Sequence, residues 1–321
     1  MLLTPIIFFG GKGGVGKTTL ATATALRLAR AGKRVLLVST DPAHNLGHIW
    51  DAQLSDIPTA VHDHLDVIEI DPARATNDHL RDVGTHMRRF MPERLHREVD
   101  RHLELARNSP GTHEAAMLER IAQLVEHRAN YAHIVFDTAP SGHTSRLMAM
   151  PEIMAAYTDG LLARREKSDR FGAALRGVTS AEKSVSAATL SPVERRNQEI
   201  RSTLLQRRHR FEHLRTALTS ASTTSFFLVL TADRTPVLET TEFCADLQAN
   251  GVHVGGVLVN RRTPVSQDEF LAQRRAAEGE ALALLAQKLP GQSVVEVPWL
   301  PYEVSTPQAL EALAECLPQS S

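Results

Sequence analysis

Gly10-Gly11-Lys12-Gly13-Gly14-Val15-Gly16-Lys17-Thr18-Thr19 decides the fold. The stretch contains G-x-x-x-x-G-K-[ST], beginning at Gly11. Ahead of it lies Ile6-Ile7-Phe8-Phe9, a short apolar run with the character of a buried strand. Behind it Leu20, Ala21, Leu26, Leu28 and Ala29 recur with helical spacing until Gly32. A strand, a glycine loop and a helix in that order turn successive backbone N–H groups toward one point at a helix N-terminus, which makes an anion site. Glycines allow positive φ and leave out side chains that would fill the cradle. Gly11, Gly13, Gly14, Val15, Gly16 and Thr19 are therefore candidates for holding a nucleotide's phosphates. Lys17 is placed to reach the β- and γ-phosphates, and the Thr18 hydroxyl suits Mg²⁺, a hard ion that takes oxygen ligands.

Further strands are expected at Val35-Leu36-Leu37-Val38, Val67-Ile68-Glu69-Ile70, Ile134-Val135-Phe136, Phe226–Leu230, Val254–Val259 and Val294-Val295-Glu296-Val297. These runs are apolar without clean alternation and are separated by segments long enough for helices. That pattern specifies an α/β fold with a mostly parallel sheet covered on both faces. Two segments exceed a short crossover, one at about 73–107 and one at about 154–218, and they are taken as a helical subdomain inserted into the sheet domain. Pro192 to Leu218 has the pattern of one long polar helix. Gly172, Gly177 and the Ser/Ala stretch at 180–189 suggest a mobile connection before it. Residues 161–220 hold thirteen Lys or Arg against six acidic residues, although the whole chain of 321 residues carries a net charge of only −1. The balance gives no reason to expect nucleic acid as a partner. No run approaches the roughly 18 apolar residues of a membrane span, and the N-terminus lacks signal-peptide features. With only Cys244 and Cys316, read as small buried hydrophobes, a reducing cytoplasm is the expected location.

Two carboxylates close apolar strands. Asp41 lies in Ser39-Thr40-Asp41-Pro42-Ala43-His44-Asn45, and Asp137 follows Ile134-Val135-Phe136. Loops at the carboxyl ends of strands in open α/β sheets are where ligands bind. Asp41 is a candidate to orient or deprotonate an attacking water and to face the metal through water. Asp137 is expected to hold Mg²⁺ through a water. Asp137-Thr138-Ala139-Pro140-Ser141-Gly142-His143-Thr144 has the look of a switch, with Gly142 permitting a backbone swing and His143 a candidate to transmit nucleotide state.

Lys12 is an addition to the ordinary phosphate loop. A second lysine there resembles the signature-lysine, or deviant Walker A, version found in the SIMIBI class of P-loop NTPases. The resemblance narrows with STDPAHN, DTAPSGHTSRL, Pro110-Gly111 followed by Glu114-Ala115, VLVNR and VPWLPYEV. Together these resemble the ArsA/Get family of ATPases over nearly the whole chain, which includes an arsenite-stimulated pump ATPase and an ATPase that delivers tail-anchored proteins to membranes. The resemblance implies a single P-loop ATPase domain over residues 1–321 with the two helical inserts. It implies ATP and Mg²⁺ as ligands, and a homodimer in which Lys12 reaches the nucleotide of the facing subunit. It gives Lys12, Lys17 and Asp41 catalytic roles and matches Asn260 to the position that hydrogen-bonds adenine. Pro298, Leu300, Pro301 and Glu303 match a loop that closes over the base.

The departures divide the family's branches. The chain has no CxxC, so no structural zinc is expected. Its two distant cysteines do not match the grouped thiolates that As(III) and Sb(III) require. An apolar client groove would draw on Met87, Met91, Leu95, Leu103, Leu105, Met148, Met150, Ile153 and Met154, although ordinary helix packing accounts for the same residues. Three roles follow for a Mg-dependent ATPase. The first is a targeting factor or chaperone for hydrophobic or tail-anchored membrane proteins, with transient membrane association. The second is the ATPase subunit of an arsenite, antimonite or other anion pump. The third is a nucleotide-gated regulatory or scaffold module of the partition-ATPase type.

Overall fold

The computed structural model describes residues 3–41, 46–91, 93–107, 109, 111–139, 141–179 and 192–317. Among the described residues, eight strands form one sheet: β1 (Ile6–Gly11), β2 (Val35–Ser39), β3 (Thr59–His62), β4 (Leu65–Glu69), β5 (His133–Asp137), β6 (Thr224–Thr231), β7 (Val254–Arg262) and β8 (Val294–Pro298). Their order is β3-β4-β2-β5-β1-β6-β7-β8. Every pairing is parallel except β3 with β4. The helices are α1 (Lys17–Arg30), α2 (Leu46–Trp50), α3 (Pro72–Phe90), α4 (His96–Arg107), α5 (Thr112–Glu126), α6 (Ser141–Thr179), α7 (Pro192–Thr219), α8 (Arg234–Ala249), α9 (Glu269–Lys288) and α10 (Pro307–Cys316).

The seven strands expected from apolar runs are present. The eighth, β3, is a four-residue antiparallel edge strand whose residues are half-buried or exposed, so it lacks the run that marked the others. Two expectations fail. Gly172 and Gly177 lie inside α6, which continues through them to Thr179; glycine lowers helix propensity by only about 1 kcal/mol and does not by itself stop a helix. The stretch at 180–189 lies outside the described residues. Cys244 is buried as expected, but Cys316 is exposed at the end of α10.

The chain divides into two compact units, one of residues 1–75, 124–149 and 216–321 and one of residues 76–123 and 150–215. The first contains the sheet. Consecutive β1 residues point to opposite faces. Ile7 and Phe9 join the core formed with Leu20 and Leu28 of α1 and Leu310 and Leu313 of α10. On the other face, Phe8 stacks on Phe136 at 4.5 Å and on Phe226 at 5.7 Å, and Phe243 of α8 meets Phe226 edge-on at 5.6 Å. Burial on both faces explains why the central strands are apolar at nearly every position. The C-terminal helix α10 packs on α1, with Thr306 capping its start and Arg27 donating to the Leu317 carbonyl at 2.8 Å.

The second unit is helical and is held by charged pairs. Glu119 accepts from Arg207 at 3.0 Å and from Arg210 at 2.6 Å, and Arg207 also approaches His79 Nδ1 at 3.3 Å. Burial, with Arg207 beside it, lowers the His79 pKa and favours the neutral ring. This unit leaves Leu105, Ile153, Tyr157 and Leu205 exposed.

Candidate nucleotide site

The parallel strands end along one edge of the sheet, and the candidate groups gather there. The loop 12–16 leaves β1, Ser39, Thr40 and Asp41 leave β2, and Asp137 closes β5. The strand register fixes their relative height, with Phe9 beside Asp137 and Ser39 beside Asp137. Hydrogen bonds lock the ends of the strands together. Thr138 donates its N–H and hydroxyl to the Phe9 carbonyl, at 3.2 and 2.8 Å. Thr40 does the same to the Asp137 carbonyl, at 2.9 and 3.1 Å.

The glycine loop owes its shape to two close approaches. Gly16 adopts φ 94°, and a Cβ there would stand 2.2 Å from Asn260 Nδ2. A Cβ on Gly11 would stand 2.2 Å from the Val229 carbonyl of β6. Both positions exclude any side chain. Gly13 and Gly14 are exposed with open space where a Cβ would lie, Val15 is buried, and Thr19 is half-buried on α1. The loop therefore presents an unobstructed concave backbone at the N-terminus of α1.

Lys17 is 5% exposed and its Nζ donates to the Lys12 carbonyl at 3.1 Å, so its ammonium folds back over the loop. Burial lowers its pKa, opposed by the negative charges of Asp137 and Asp41. An anion received by the loop would compensate for the hydration that burial removes from the ammonium.

Thr18 donates its hydroxyl to Asp137 Oδ2 at 2.7 Å, and Ser39 Oγ lies 3.5 Å from the same oxygen. Asp137 is fully buried, and its Oδ1 makes no hydrogen bond. Burial pushes the Asp137 pKa up to about 7; the Thr18 hydrogen bond and the Lys17 charge pull it down, while Asp41 pushes it further up. A buried carboxylate with an unsatisfied oxygen beside a threonine hydroxyl is an all-oxygen donor set, which fits a hard divalent cation or its bound water. Asp41 is half-buried and its N–H donates to Ser39 Oγ at 3.3 Å, so Ser39 touches both carboxylate-bearing segments. Pro42, Ala43, His44, Asn45 and Pro140 lie outside the described residues, as do the side chains of Ser141 and His143. Gly142 sits in the first turn of α6.

Asn260 is 7% exposed near the end of β7, and its Nδ2 donates to the Val15 carbonyl at 2.9 Å. It therefore braces the phosphate loop. Pro298 ends β8 in register with Arg262, and Trp299 N–H donates to the Arg262 carbonyl at 2.9 Å. Those bonds place the segment holding Leu300, Pro301 and Glu303 beside the end of β7. Leu300 packs against the core, whereas Pro301 and Glu303 are exposed.

The partners that four carboxyl-bearing or hydroxyl residues find here were not legible in the sequence. Ser39 bridges Asp41 and Asp137. Glu239 of α8 forms an ion pair with Lys12. Glu69 of β4 accepts the N–H groups of Leu46 and Gly47 at 2.8 and 3.3 Å, fixing the start of α2 just beyond the Asp41 segment. Glu278 of α9, 3% exposed, pairs with Arg262 and accepts from Thr263 Oγ1 at 2.6 Å and Arg274 Nε at 3.1 Å. Apart from Ser39 beside Asp41 and Arg274 one turn before Glu278, these partners are distant in the chain, so no local spacing announces them.

Comparisons with known proteins bear on the chain as a whole. The family model described as anion-transporting ATPase matches residues 4–319. The chain is 30% identical over 319 residues to a putative arsenical pump-driving ATPase 2 of Aquifex aeolicus, covering 98% of this chain and 99% of that protein. It is 28% identical over 332 residues to the ATPase GET3C of Arabidopsis thaliana, covering 96% and 81% of the two chains. It is 29% identical over 297 residues to an arsenical pump-driving ATPase of Escherichia coli, covering 90% of this chain but 45% of that protein. A phosphate loop, a buried cation-type carboxylate and a whole-length family match lead to one conclusion: the chain is an ATPase belonging to the anion-transporting, ArsA/Get family.

Proposed function

We propose that the chain hydrolyses ATP with Mg²⁺ in a homodimer, and that the nucleotide state controls capture of apolar helices such as tail-anchored segments by the helical unit. The observation that carries the chemistry is the Thr18–Asp137 pair, with Asp137 Oδ1 buried and unsatisfied, next to the Lys17-covered loop. Thr18, and Asp137 and Asp41 through water, are the residues that would hold the cation. When bound, Mg²⁺ supplies charge neutralisation on the β- and γ-phosphates. The chain's own groups do the rest. The loop N–H groups of 12–17 bind and orient the phosphates. Lys17 in cis, and Lys12 from the facing subunit, oppose the charge on the γ-phosphate. Asp41 orients the attacking water or takes its proton. Asn260, with Pro298, Leu300, Pro301 and Glu303, holds the adenine.

The client reading rests on the helical unit and on the thiols. Leu105 is 66% exposed, Ile153 60% and Tyr157 62%, which offers apolar surface to an apolar partner. The two cysteines sit on α8 and α10, one buried and one exposed, so they offer no grouped soft ligands to a metalloid. Among the described residues no helix is long and apolar enough to cross a membrane. The relatives' names favour the alternative of a pump-energising ATPase.

One experiment separates the two. The Asp41→Asn variant with ATP is mixed with a fluorescent 20-residue Leu/Ala-rich helix peptide, and antimonite stimulation of the unaltered chain is measured in parallel. Peptide binding that needs ATP, with no antimonite stimulation, is the expected result. Antimonite-stimulated hydrolysis without peptide binding would reject the targeting role.

A further inference from the structure

Lys12 carries its charge away from the phosphate loop. Its ammonium pairs with Glu239 on the second turn of α8, while its carbonyl accepts from Lys17 Nζ at 3.1 Å. The pair spans 227 residues of chain and exists because α8 approaches β1 closely. Gly10 permits that approach. A Cβ on Gly10 would stand 2.4 Å from the Phe226 ring and 2.9 Å from the Phe243 ring. With no side chain there, Phe226 lies against β1 and Phe243 of α8 packs edge-on against it. Glu239 sits one helical turn before Phe243 on the same helix, which carries its carboxylate to the loop.

The pair is more than a solvated surface contact. The Lys12 side chain is 52% exposed and that of Glu239 36%, yet Glu239 Oε2 is buried and makes no hydrogen bond. If Lys12 left, the carboxylate would remain half-buried with neither oxygen paired, which costs more than losing an exposed pair. A lysine ammonium is one charge on one stem and cannot serve Glu239 and a distant phosphate together.

From this geometry we infer that Glu239 is a positioning residue that holds Lys12 in cis in the monomer and must surrender it when two subunits close on ATP. The inference deepens the homodimer reading and rests on it. Glu239 thereby competes with the facing subunit's nucleotide for Lys12 and sets how much ATP-driven closure costs. The far end of α8 provides a second link, since Asp246 accepts from Ser145 Oγ of α6 at 3.2 Å. Loss of the Lys12 contact is thus felt on a helix that also touches the segment following Asp137.

The test has two arms. In the first, nucleotide-free protein is exposed to a trace amine-acylating reagent and labelling at Lys12 is followed by mass spectrometry. Glu239→Gln, which keeps the side chain's shape, is expected to raise labelling at Lys12 severalfold and leave Lys33 unchanged. Equal labelling at Lys12 would overturn the cis pairing, whatever the oligomeric state. In the second arm, the dimer dissociation constant is measured by sedimentation with ATP and Mg²⁺ in the Asp41→Asn background. Each Lys12–Glu239 pair given up is worth at least the roughly threefold of an exposed ion pair, so Glu239→Gln should tighten a dimer that frees two lysines by about tenfold or more. Adding Lys12→Ala should abolish that gain. An unchanged or weaker dimer in Glu239→Gln, or a gain that survives Lys12→Ala, would overturn the competition. A parent chain that stays monomeric with ATP would instead remove the homodimer reading and the competition with it, leaving the first arm to decide the pairing alone.

Discussion

Asp137 concentrates the site's physical tension in one side chain. It is fully buried, carries an unsatisfied oxygen, and has its pKa raised to about 7 by burial. The sign follows from linkage. In the unfolded chain the group ionises near its ordinary value of 3.8, whereas in the folded chain it keeps its proton up to about pH 7. Between those values the folded state binds the extra proton, so this group makes stability fall as pH rises, and above about 7 the penalty is complete. The Asp137→Asn variant mimics the protonated form. In EDTA and without nucleotide, its thermal midpoint should match the unaltered chain near pH 4 and exceed it at pH 8. Equal midpoints at both pH values would show that burial does not strain this carboxylate. Asp41 tests the chemistry at the same scale. Asp41→Asn should retain nucleotide binding and lose hydrolysis by about a hundredfold or more, the size of a general-base contribution; undiminished turnover would remove Asp41 from that role.

At the scale of elements, the site stands on contacts between neighbouring strand ends and the helices after them. Arg262 of β7, 9% exposed, is held by Glu278 of α9 and by Glu296 of β8 at 2.7 Å, and Arg274 extends the network to Asp233 at 2.8 Å. Burial works against the Glu278 charge, but hydrogen bonds from Thr263 and Arg262 hold its pKa below the ordinary carboxylate value. Glu278→Ala should therefore destabilise the chain by about 3–5 kcal/mol, because Arg262 would be left as a buried charge without its main partner. Chemical denaturation reads this directly; a loss below about 1 kcal/mol would mean that the network is ornamental. Gly16→Ala forces a Cβ onto Asn260 at positive φ and should weaken nucleotide binding by about tenfold or more. Isothermal titration checks it, with unchanged affinity as the contrary result. These elements also show what the sequence could reveal. Strands such as β1, β5 and β6 are buried on both faces and stand out as apolar runs. The edge strand β3 is four half-buried or exposed residues and does not. α6 passes through Gly172 and Gly177, where local composition suggested a break. The phosphate loop, Asp41 and Asp137 were legible because each sits at a strand end within a short motif. Glu239 and Glu278 were not, because each owes its role to a partner brought near only by folding.

Over the whole molecule, the groups proposed for the nucleotide chemistry lie in the sheet unit, and the helical unit exposes apolar side chains. The proposed chemistry depends on each site being completed by Lys12 of a second copy. Mixing two inactive variants tests that most directly. In a heterodimer of Lys12→Ala with Asp41→Asn, the nucleotide on the Lys12→Ala subunit keeps its own Asp41 and receives Lys12 from its partner, so one site is whole. An equimolar mixture should then recover about a quarter of normal turnover, half the dimers being mixed and each of those having one working site. No recovery, with heterodimers demonstrably formed, would mean that Lys12 acts within its own subunit and would contradict the shared site.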